Sequence, residues 1–333
     1  MVSIIIPYYN AAETLRQAVE SVCRTDYPNY EIITVDDGSE DDSFETIADL
    51  PCIHVRNTQR SGAAVTRNIG AQACSGSILF FMDADVVMLP DTLRRAVRNF
   101  NDDDGLAAVF GEYTLDTVPG NFVSQYKNMV HHYTHQTSDE QAATFWSGCG
   151  AIRTDIFHLI GRFNEGYSAA SVEDIELGYR LYQNKQRIRL DKSIRVTHAK
   201  RYTLWSLIKS DLVYRAIPWT KLMARRGIFR ADLNLKPHNI FSGIILAILI
   251  PWAIFVSAKY LHELWYLLPA MAFLMLLLLN IDIFSYVYRF KGLRFLFCFV
   301  IMYTVTYIYS LLGFALGLLL YVTDVIRGRG NSV

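Results

Sequence analysis

The sequence predicts an α/β domain with a mostly parallel sheet, followed by interfacial amphipathic helices and transmembrane helices. Over the first 200 residues, short β-rich segments alternate with amphipathic helical segments, which is the pattern of βαβ units. Two of the β-rich segments end in aspartate clusters, at the strand ends where such sheets bind ligands. Beyond residue 236, three long runs are almost free of charge, which indicates membrane helices.

The individual elements follow from hydrophobic spacing. Apolar, β-branched runs bounded by turn residues predict strands, and apolar residues spaced three or four apart predict helices. The predicted strands are 2–6, 31–35, 53–55, 78–82 and 195–197. The predicted helices are 11–23, 63–73, a segment that begins at Pro90, and 172–183. Strands and helices that alternate in this way predict a sheet covered by helices on both faces.

The charge distribution divides the chain into three parts. Overall it carries 32 basic and 32 acidic side chains. Residues 1–200 hold 18 basic and 27 acidic groups, residues 201–236 hold 8 and 2, and residues 237–333 hold 6 and 3. This predicts an acidic N-terminal domain (residues 1–200), a basic collar (residues 201–236) and a membrane domain (residues 237–333). Without a net basic surface, the chain is not expected to bind nucleic acid. Five cysteines without metal-type spacing predict reduced thiols.

The membrane domain carries three predicted spans, at 240–258, 265–288 and 295–322. Asp282 is the one charge in the second span, and its insertion cost of about 3 kcal/mol is offset by the surrounding leucines. The basic collar interleaves aromatic and cationic side chains, as helices in the membrane interface do. Positive charge before the first span, and an apolar start too short for a signal peptide, predict an integral protein of a bacterial-type plasma membrane. The acidic N-terminal domain is then cytoplasmic.

Two further patterns predict contacts rather than chemistry. Gly313 and Gly317 form a G-x-x-x-G motif in the third span, which would suit a close helix contact and a homo-oligomer. His131, His132 and His135 share a helical stretch at zinc-ligand spacing, but no acidic or cysteine partner is near in the sequence. We therefore predict a solvated helix face for these histidines.

The strongest chemical motif is the pair Asp83 and Asp85, directly after the strand 78–82. Two carboxylates on one short turn suit a hard divalent cation that keeps positions open for phosphate oxygens. An isolated D-x-D sequence would be an ordinary turn, but here it belongs to an ordered set. The other members are 3–10, 35–39, 62–68 and Glu173-Asp174.

These motifs, in this order and spacing, resemble the family 2 glycosyltransferases of the GT-A fold, over about residues 1–200. The resemblance implies a UDP- or GDP-linked sugar donor, a divalent cation (Mg²⁺ or Mn²⁺) and inversion at the anomeric carbon. It implies nucleotide-sugar contacts by Pro7, Tyr9, Asp37, Arg67, Asp83, Lys200 and Arg201. It implies metal ligation by Asp85, His198 and Asp83.

Structural roles remain as alternatives for several of these residues. Pro7 and Tyr9 also suit the turn and core after a strand. Arg67 also suits a solvated helix and His198 a structural position, whereas Lys200 and Arg201 could be the first cations of the basic collar.

On the acceptor side, the resemblance implies that Asp174, with Glu173 beside it, is the catalytic pair. Asp174 would deprotonate the acceptor hydroxyl, which is a poor nucleophile at neutral pH. The alternative is that both acids favour the N-terminus of a helix through its dipole. Trp146 and Gly148, in the run W-S-G-C-G, resemble the acceptor-side loop of the family.

The favoured function is transfer of a single sugar to a hydroxyl of a lipid or lipid-linked acceptor at the cytoplasmic membrane face. The Gln-x-x-Arg-Trp motif of processive polysaccharide synthases is absent, and residues 215–219 are the nearest sequence. A polyprenyl-phosphate glycosyltransferase is the alternative, although its anionic acceptor would need no strong base. A non-catalytic sugar-nucleotide-binding membrane protein is a third reading. In every case membrane lipids are partners.

Overall fold

A computed structural model describes residues 1–167, 171–227, 237–260 and 267–328. These residues divide into two units, an N-terminal unit over Met1–Thr203 and a helical unit that begins at Leu204. The N-terminal unit contains one sheet with helices on both faces. Its strands are β1 Val2–Tyr8, β2 Tyr30–Asp36, β3 Ile53–Arg56, β4 Ile78–Met82, β5 Val86–Met88, β6 Leu106–Thr117, β7 Gln141–Ala142, β8 Cys149–Arg153 and β9 Arg187–His198. Its helices are α1 Leu15–Cys23, α2 Ala63–Gln72, α3 Thr92–Asp102, α4 Phe122–Gln136, α5 Thr154–Leu159 and α6 Glu173–Gln183.

The strand order is β3-β2-β1-β4-β8-β6-β9-β5, with β7 paired to β9. As predicted, β3, β2, β1 and β4 are parallel neighbours. In the second half of the sheet, β8 runs antiparallel to β4 and β6, and β5 and β7 run antiparallel to β9. Within that half β6 and β9 are parallel to each other, so the sheet is mixed, and its continuous run of parallel strands is the half that carries the first motifs.

The core lies on both faces of the sheet. Residues of α1 and α3 pack on one face, and residues of α2, α5 and α6 pack on the other. In the centre, Ile4 is in register with Ile32 on one side and Phe80 on the other, and all three are buried. A strand that is covered on both faces has no polar side to alternate with, which explains the continuous apolar run of β1.

The parallel strands bring three motifs to one edge. Tyr9 follows β1, Asp37 follows β2 and Asp83 follows β4. Because neighbouring strands lie about 4.8 Å apart, the ends of β2 and β4, on either side of β1, are about 10 Å apart. The predicted nucleotide and metal residues thus share a single edge of the sheet.

The helical unit contains two stretches that are long and apolar enough to cross a membrane, His238–Tyr260 and Ile281–Ile326, and a shorter apolar helix, Leu267–Leu279. Its elements are α7 Leu204–Asp211, a π-helical turn Leu212–Ala216, α8 Ile217–Arg226, α9 Pro237–Ile244, a π-helical turn Ile245–Leu249, α10 Ile250–Tyr260, α11 Leu267–Leu279 and α12 Ile281–Ile326. The backbone of α12 leaves the helical conformation at Gly292, where φ is 77°.

The helix boundaries differ from the predicted spans in one place. The predicted spans 240–258 and 295–322 lie inside long helices, whereas 265–288 is divided at Asn280, and residues 265–266 lie outside the described residues. The buried Asn280 amide donates to Ser242 Oγ at 2.8 Å and back to the last turn of α11. A side chain that bonds the end of α11 in this way favours a break that hydropathy cannot reveal. The number of spans stays a prediction.

The two glycines of the G-x-x-x-G motif pack within the chain. A Cβ on Gly313 would lie 2.5 Å from the Cβ of Ala216, and one on Gly317 would lie 2.8 Å from the Ile217 carbonyl oxygen. The close approach that small residues permit is thus used between α12 and the stretch formed by the π-helical turn Leu212–Ala216 and α8. The motif gives no support to the predicted homo-oligomer. The part of the basic collar over residues 228–236 lies outside the described residues.

Candidate active site

A buried arginine joins two of the predicted acidic motifs. Arg67, on α2, donates to Asp83 Oδ1 at 2.8 Å and to Glu173 Oε1 at 2.7 Å. The side chains of Arg67 and Glu173 are only 5% and 4% exposed. Burial opposes the charge of Arg67, but the two carboxylates outweigh it and raise its pKa above the ordinary value. The guanidinium therefore holds the turn after β4 against the start of α6, although the two are distant in sequence.

Asp83 and Asp85 lie close enough to influence each other. Loss of contact with water raises the pKa of Asp83, Arg67 partly offsets this, and the Asp85 carboxylate adds to it. A carboxyl group whose pKa is raised by a neighbouring carboxylate is one that a nearby cation would stabilise in its ionised form.

Asp85 lies between an imidazole and an ammonium group. His198, at the end of β9, has its Nε2 3.9 Å from Asp85 Oδ1, and Lys200 Nζ lies 3.5 Å from Asp85 Oδ2. Burial lowers the pKa of His198 to about 4, so its ring is neutral at pH 7. Asp85 raises the pKa of Lys200, which is therefore charged. Arg201 is exposed.

The residues around Asp85 fit a divalent cation whose coordination the substrate completes. His198 Nε2 faces Asp85 at 3.9 Å, beyond hydrogen-bond distance and wide enough for a cation between them, and neutral imidazole is the metal-binding form. No group of three His, Cys, Asp or Glu side chains within the described ranges forms a full ligand set. A cation held by one or two protein ligands plus substrate phosphates needs no such set.

The second acidic residue of the Glu-Asp pair is the accessible one. Asp174 is partly exposed, and its Oδ2 accepts hydrogen bonds from Ser147 N at 3.2 Å and Ser147 Oγ at 3.3 Å. Glu173 is buried and its carboxylate is bonded to Arg67 and to the Ser171 backbone. Ser147 was not among the predicted site residues, although it lies in the run W-S-G-C-G.

Two aromatic contacts link Trp146, in the run W-S-G-C-G, to His198. Its indole packs edge-on against Tyr113, with ring centroids 4.8 Å apart, and Tyr113 stacks on His198 at 4.5 Å. A Cβ on Gly148 would lie 2.6 Å from the Trp146 indole nitrogen. Gly148 is therefore required for the position of Trp146, whatever contact it makes with a substrate. Tyr113 was not predicted, since no motif marks it.

The predicted solvated face of His131, His132 and His135 is wrong. His132 and His135 are 8% and 4% exposed. Nδ1 of His132 lies 2.7 Å from the Tyr113 carbonyl oxygen, and Nδ1 of His135 lies 3.1 Å from the Gly111 carbonyl oxygen. Both carbonyls belong to β6, whose pairing with β9 is interrupted by register shifts, so α4 supplies partners that the ladder does not.

Asp37, predicted to contact the nucleotide, is engaged by the protein itself. Its Oδ1 accepts from Ser61 N at 2.8 Å and from Asn57 Nδ2 at 3.0 Å, and its Oδ2 accepts from Gly62 N at 2.9 Å. These bonds attach the loop before α2, and the first turn of that helix, to the end of β2.

Pro7 and Tyr9 lie at the end of β1, beside this turn. Pro7 is buried within the strand and pairs with Val35. Tyr9 is half-buried and lines a cavity of about 720 Å³, together with Gly38 and the segment 56–60. The structure thus brings the predicted residues together at one sheet edge, with the exception of the exposed Arg201.

Comparison with known proteins assigns a family to the N-terminal part of the chain. The sequence profile of Glycosyl transferase family 2 matches residues 3–161. The chain is 27% identical, over 38% of its length and 52% of the relative, to the UDP-Glc:alpha-D-GlcNAc-diphosphoundecaprenol beta-1,3-glucosyltransferase WfgD of Escherichia coli. It spans about half the length of the curated relatives it matches.

Two solved structures share the fold at low identity. The mannosyltransferase PcManGT from Pyrobaculum calidifontis, in complex with GDP-Man and Mn²⁺, has a TM-score of 0.52 at 17% identity, over 94% of this chain and 85% of that one. S. aureus TarS 1-349, in complex with UDP-GlcNAc, has a TM-score of 0.54 at 18% identity, over 86% and 91%. Residues 3–161 thus form a Glycosyl transferase family 2 domain, and the chain shares the GT-A fold of these structures.

Proposed function

We propose that the protein is an inverting, metal-dependent glycosyltransferase. It transfers a single sugar from a nucleotide-sugar to a hydroxyl of a lipid or lipid-linked acceptor at the cytoplasmic face of a membrane. The observation that carries the proposal is the Arg67 bridge, which joins Asp83 to Glu173 and so sets the D-x-D turn beside the start of α6. A donor diphosphate and an acceptor base can then face the same sugar.

On the donor side, the residues of this chain act by charge and position. A divalent cation held by Asp85 and His198 would supply positive charge to the departing diphosphate. Lys200 is charged beside Asp85 and can pair with phosphate oxygens. Asp83, fixed by Arg67, presents its remaining lone pairs to the ribose.

On the acceptor side, Asp174 acts as the general base. Its carboxylate is partly exposed, and the two hydrogen bonds from Ser147 orient it. The acceptor oxygen attacks the anomeric carbon opposite the diphosphate and gives its proton to Asp174 as the bond to the diphosphate oxygen breaks. Attack from the opposite face inverts the anomeric centre. Glu173 is a positioning residue, since its buried carboxylate fixes Arg67.

The lipid-linked acceptor is supported by the two helices that are long enough to cross a membrane and by the lipid-linked substrate in the name of the E. coli relative. The nucleotide-sugars in the two related structures support the donor class. An oriented base favours a hydroxyl acceptor over an anionic polyprenyl phosphate, which needs no deprotonation.

Replacement of Asp174 tests this proposal. In Asp174→Asn the amide cannot take the proton, so we expect transfer to fall about a hundredfold or more while nucleotide binding persists. The measurement is the mass of the product that the full-length protein forms from nucleotide-sugars and bacterial lipid extract. Asp155→Asn, an exposed aspartate in the first turn of α5, is the matched control. Undiminished transfer in Asp174→Asn would exclude the base and indicate a phosphate acceptor.

A further inference from the structure

His198, a ligand in the proposed cation site, differs from most metal-binding histidines in how its ring is held. In most metal sites the second ring nitrogen donates to a carboxylate, a carbonyl or water, and this bond fixes the ring. Nε2 of His198 faces Asp85, whereas its Nδ1 is buried and has no hydrogen-bond partner in the part of the chain that the structure describes. Thr117 Oγ1 and Val118 N hold the backbone by donating to the His198 carbonyl. The rotation of the ring must therefore be set by the groups that pack against it.

Tyr113 makes the closest of these packing contacts. Its ring is stacked on that of His198, with centroids 4.5 Å apart and planes 23° from parallel, and both side chains are buried. Tyr113 on β6 pairs with Val196 on β9, and His198 is the next residue on the same face of β9, so strand register brings the two rings together. Tyr202 also lies near the His198 ring, but at 5.7 Å and tilted by 50°. The flat contact that opposes ring rotation is therefore the one with Tyr113.

Tyr113 is in turn held by groups on two other segments. Its carbonyl oxygen lies 2.7 Å from Nδ1 of the buried His132 on α4. Its ring meets the edge of the Trp146 indole at 4.8 Å and the His131 ring at 4.6 Å. A side chain confined in a packed core keeps one rotamer, so Tyr113 presents a fixed surface to His198.

Trp146 also stands next to the residue that orients the proposed base. Ser147 follows it directly and donates to Asp174 through its backbone N–H and its hydroxyl. A Cβ on Gly148 would lie 2.6 Å from the Trp146 indole nitrogen, so the indole packs directly on the backbone of this run. The run that orients the base on the acceptor side thus also supports the ring stack on the cation side.

We propose that Tyr113 is a positioning residue of the cation site, and that its ring, supported by Trp146, replaces the hydrogen bond that orients other metal-binding histidines. The inference rests on the proposed function, because it takes His198 to be a ligand of the divalent cation. Since the contact is made by the face of the ring, phenylalanine should serve as well as tyrosine at position 113, and leucine should not. The ring is also part of the core, so its test has to separate cation binding from stability.

Mn²⁺ binding to the full-length protein in detergent tests the proposal. Mn²⁺ is titrated at a fixed concentration of uridine diphosphate, and in parallel of guanosine diphosphate, and is followed by electron paramagnetic resonance. The pulsed form of the experiment reports whether a nitrogen is bonded to the ion, and His198→Ala, in which that signal should vanish, is the reference. In Tyr113→Leu we expect Mn²⁺ to bind about tenfold more weakly and the nitrogen signal to shrink. Tyr113→Phe should match the wild type in both.

Phe100→Leu is the matched control for the loss of a buried ring. Phe100 lies on α3 with its ring beside Arg153, which pairs with Ile78 at the start of β4 and so lies away from the sheet edge that carries Asp83. Phe100→Leu and Tyr113→Leu should both lower the melting temperature, but only Tyr113→Leu should weaken Mn²⁺ binding.

Trp146→Leu supplies a second test that leaves Tyr113 and His198 in the chain. It removes the support behind the stack, so we expect weaker Mn²⁺ binding, by a smaller factor than in Tyr113→Leu. This variant decides the question if Tyr113→Leu does not fold, because Mn²⁺ binding equal to that of the wild type would then overturn the proposal.

Three further results would overturn the role of the Tyr113 ring while leaving the proposed function intact. They are an unchanged Mn²⁺ affinity and nitrogen signal in folded Tyr113→Leu, an equal loss in Tyr113→Phe, which would assign the role to the hydroxyl, and an equal loss in Phe100→Leu, which would reduce the effect to stability. If the wild type shows no nitrogen bonded to Mn²⁺, His198 is not a ligand and the inference fails. Glycosyl transfer is judged separately, by the products of the wild type and of Asp174→Asn.

Discussion

The two turns that end β2 and β4 each carry two aspartates, but they use them in opposite ways. After β2, Asp36 and Asp37 are 2% and 5% exposed, and backbone N–H groups donate to both carboxylates, with Arg56 Nε also 3.3 Å from Asp36 Oδ2. After β4, the side chains of Asp83 and Asp85 are 35% and 23% exposed. Asp83 pairs with Arg67, and Asp85 lies beside His198 and Lys200.

The kind of partner decides what each turn can do. A carboxylate that accepts several backbone N–H bonds cannot release them without unsatisfied buried donors, so it serves the architecture. A carboxylate such as that of Asp85, which lies beside His198 and Lys200 and is bonded to no backbone N–H among the described residues, can exchange part of its side-chain contact for a ligand at lower cost. The turn after β2 therefore builds a cavity wall, and the turn after β4 is available for chemistry.

The largest effect should follow from Asp85→Asn. This change removes a charge and a ligand from the proposed cation site, so we expect transfer with Mn²⁺ to fall roughly 10²- to 10³-fold. The melting temperature should hardly change, because a partly exposed ion pair contributes at most about 1 kcal/mol. Transfer rates, Mn²⁺ binding by electron paramagnetic resonance and thermal unfolding measure the three quantities.

Asp102→Asn, an exposed aspartate on α3, is the matched control for that variant. Full activity of Asp85→Asn with Mg²⁺ or Mn²⁺ would exclude the metal role. A large drop in melting temperature would instead show that the turn after β4 is architectural, as the turn after β2 is.

Asp37→Asn should have a smaller effect, and on stability rather than on transfer. An amide has only one acceptor oxygen and would leave at least one of the N–H donors from Ser61 and Gly62 unsatisfied. We expect a loss of about 2 kcal/mol in the free energy of unfolding, or roughly 4–8 °C in melting temperature. The Mn²⁺ concentration for half-maximal transfer should stay the same. An unchanged melting temperature, or an altered Mn²⁺ requirement, would remove the distinction between the two turns.

Local patterns predicted the helices and strands whose apolar residues are regularly spaced. The run 2–6 predicted β1, observed as Val2–Tyr8, and 172–183 predicted α6, observed as Glu173–Gln183, because apolar spacing is a property of neighbouring residues. The antiparallel strand β8 and the register shifts in β6 were not predicted, since strand direction and register depend on partners far along the chain.

The same distinction between local motifs and long-range contacts holds for the candidate site. Asp83, Asp85 and Asp174 stand in motifs that a sequence displays. The bond between Arg67 and Glu173 joins residues 106 apart, and the bond between Ser147 and Asp174 joins residues 27 apart, so neither follows from spacing. The two aspartate turns look alike in sequence, and only their hydrogen-bond partners separate them.

Glu112 extends the comparison to a buried carboxylate with fewer donors than Asp37. It lies on β6 and is fully buried, and Gln136 Nε2 donates to its two oxygens at 2.7 and 2.9 Å. Burial raises its pKa to about 7, and Gln136 and the charges of Arg195 and Lys192 offset this only in part. Asp191 adds to the rise, and the nearby His132 has a pKa lowered by burial.

We also predict a pH dependence of stability that Glu112→Gln removes, with no effect on stability at low pH. The ordinary pKa of this carboxyl is 4.5, so between about pH 4.5 and pH 7 the folded protein keeps a proton that the unfolded chain releases. Stability from this group is complete below about pH 4.5, falls as pH rises through that window, and is constant above about pH 7. The wild type should lose about 1–3 kcal/mol more than Glu112→Gln between about pH 5 and pH 8, measured by thermal unfolding. Glu13→Gln, an exposed glutamate, should behave as the wild type. Parallel pH profiles for the wild type and Glu112→Gln would mean that Glu112 is ionised in its buried position.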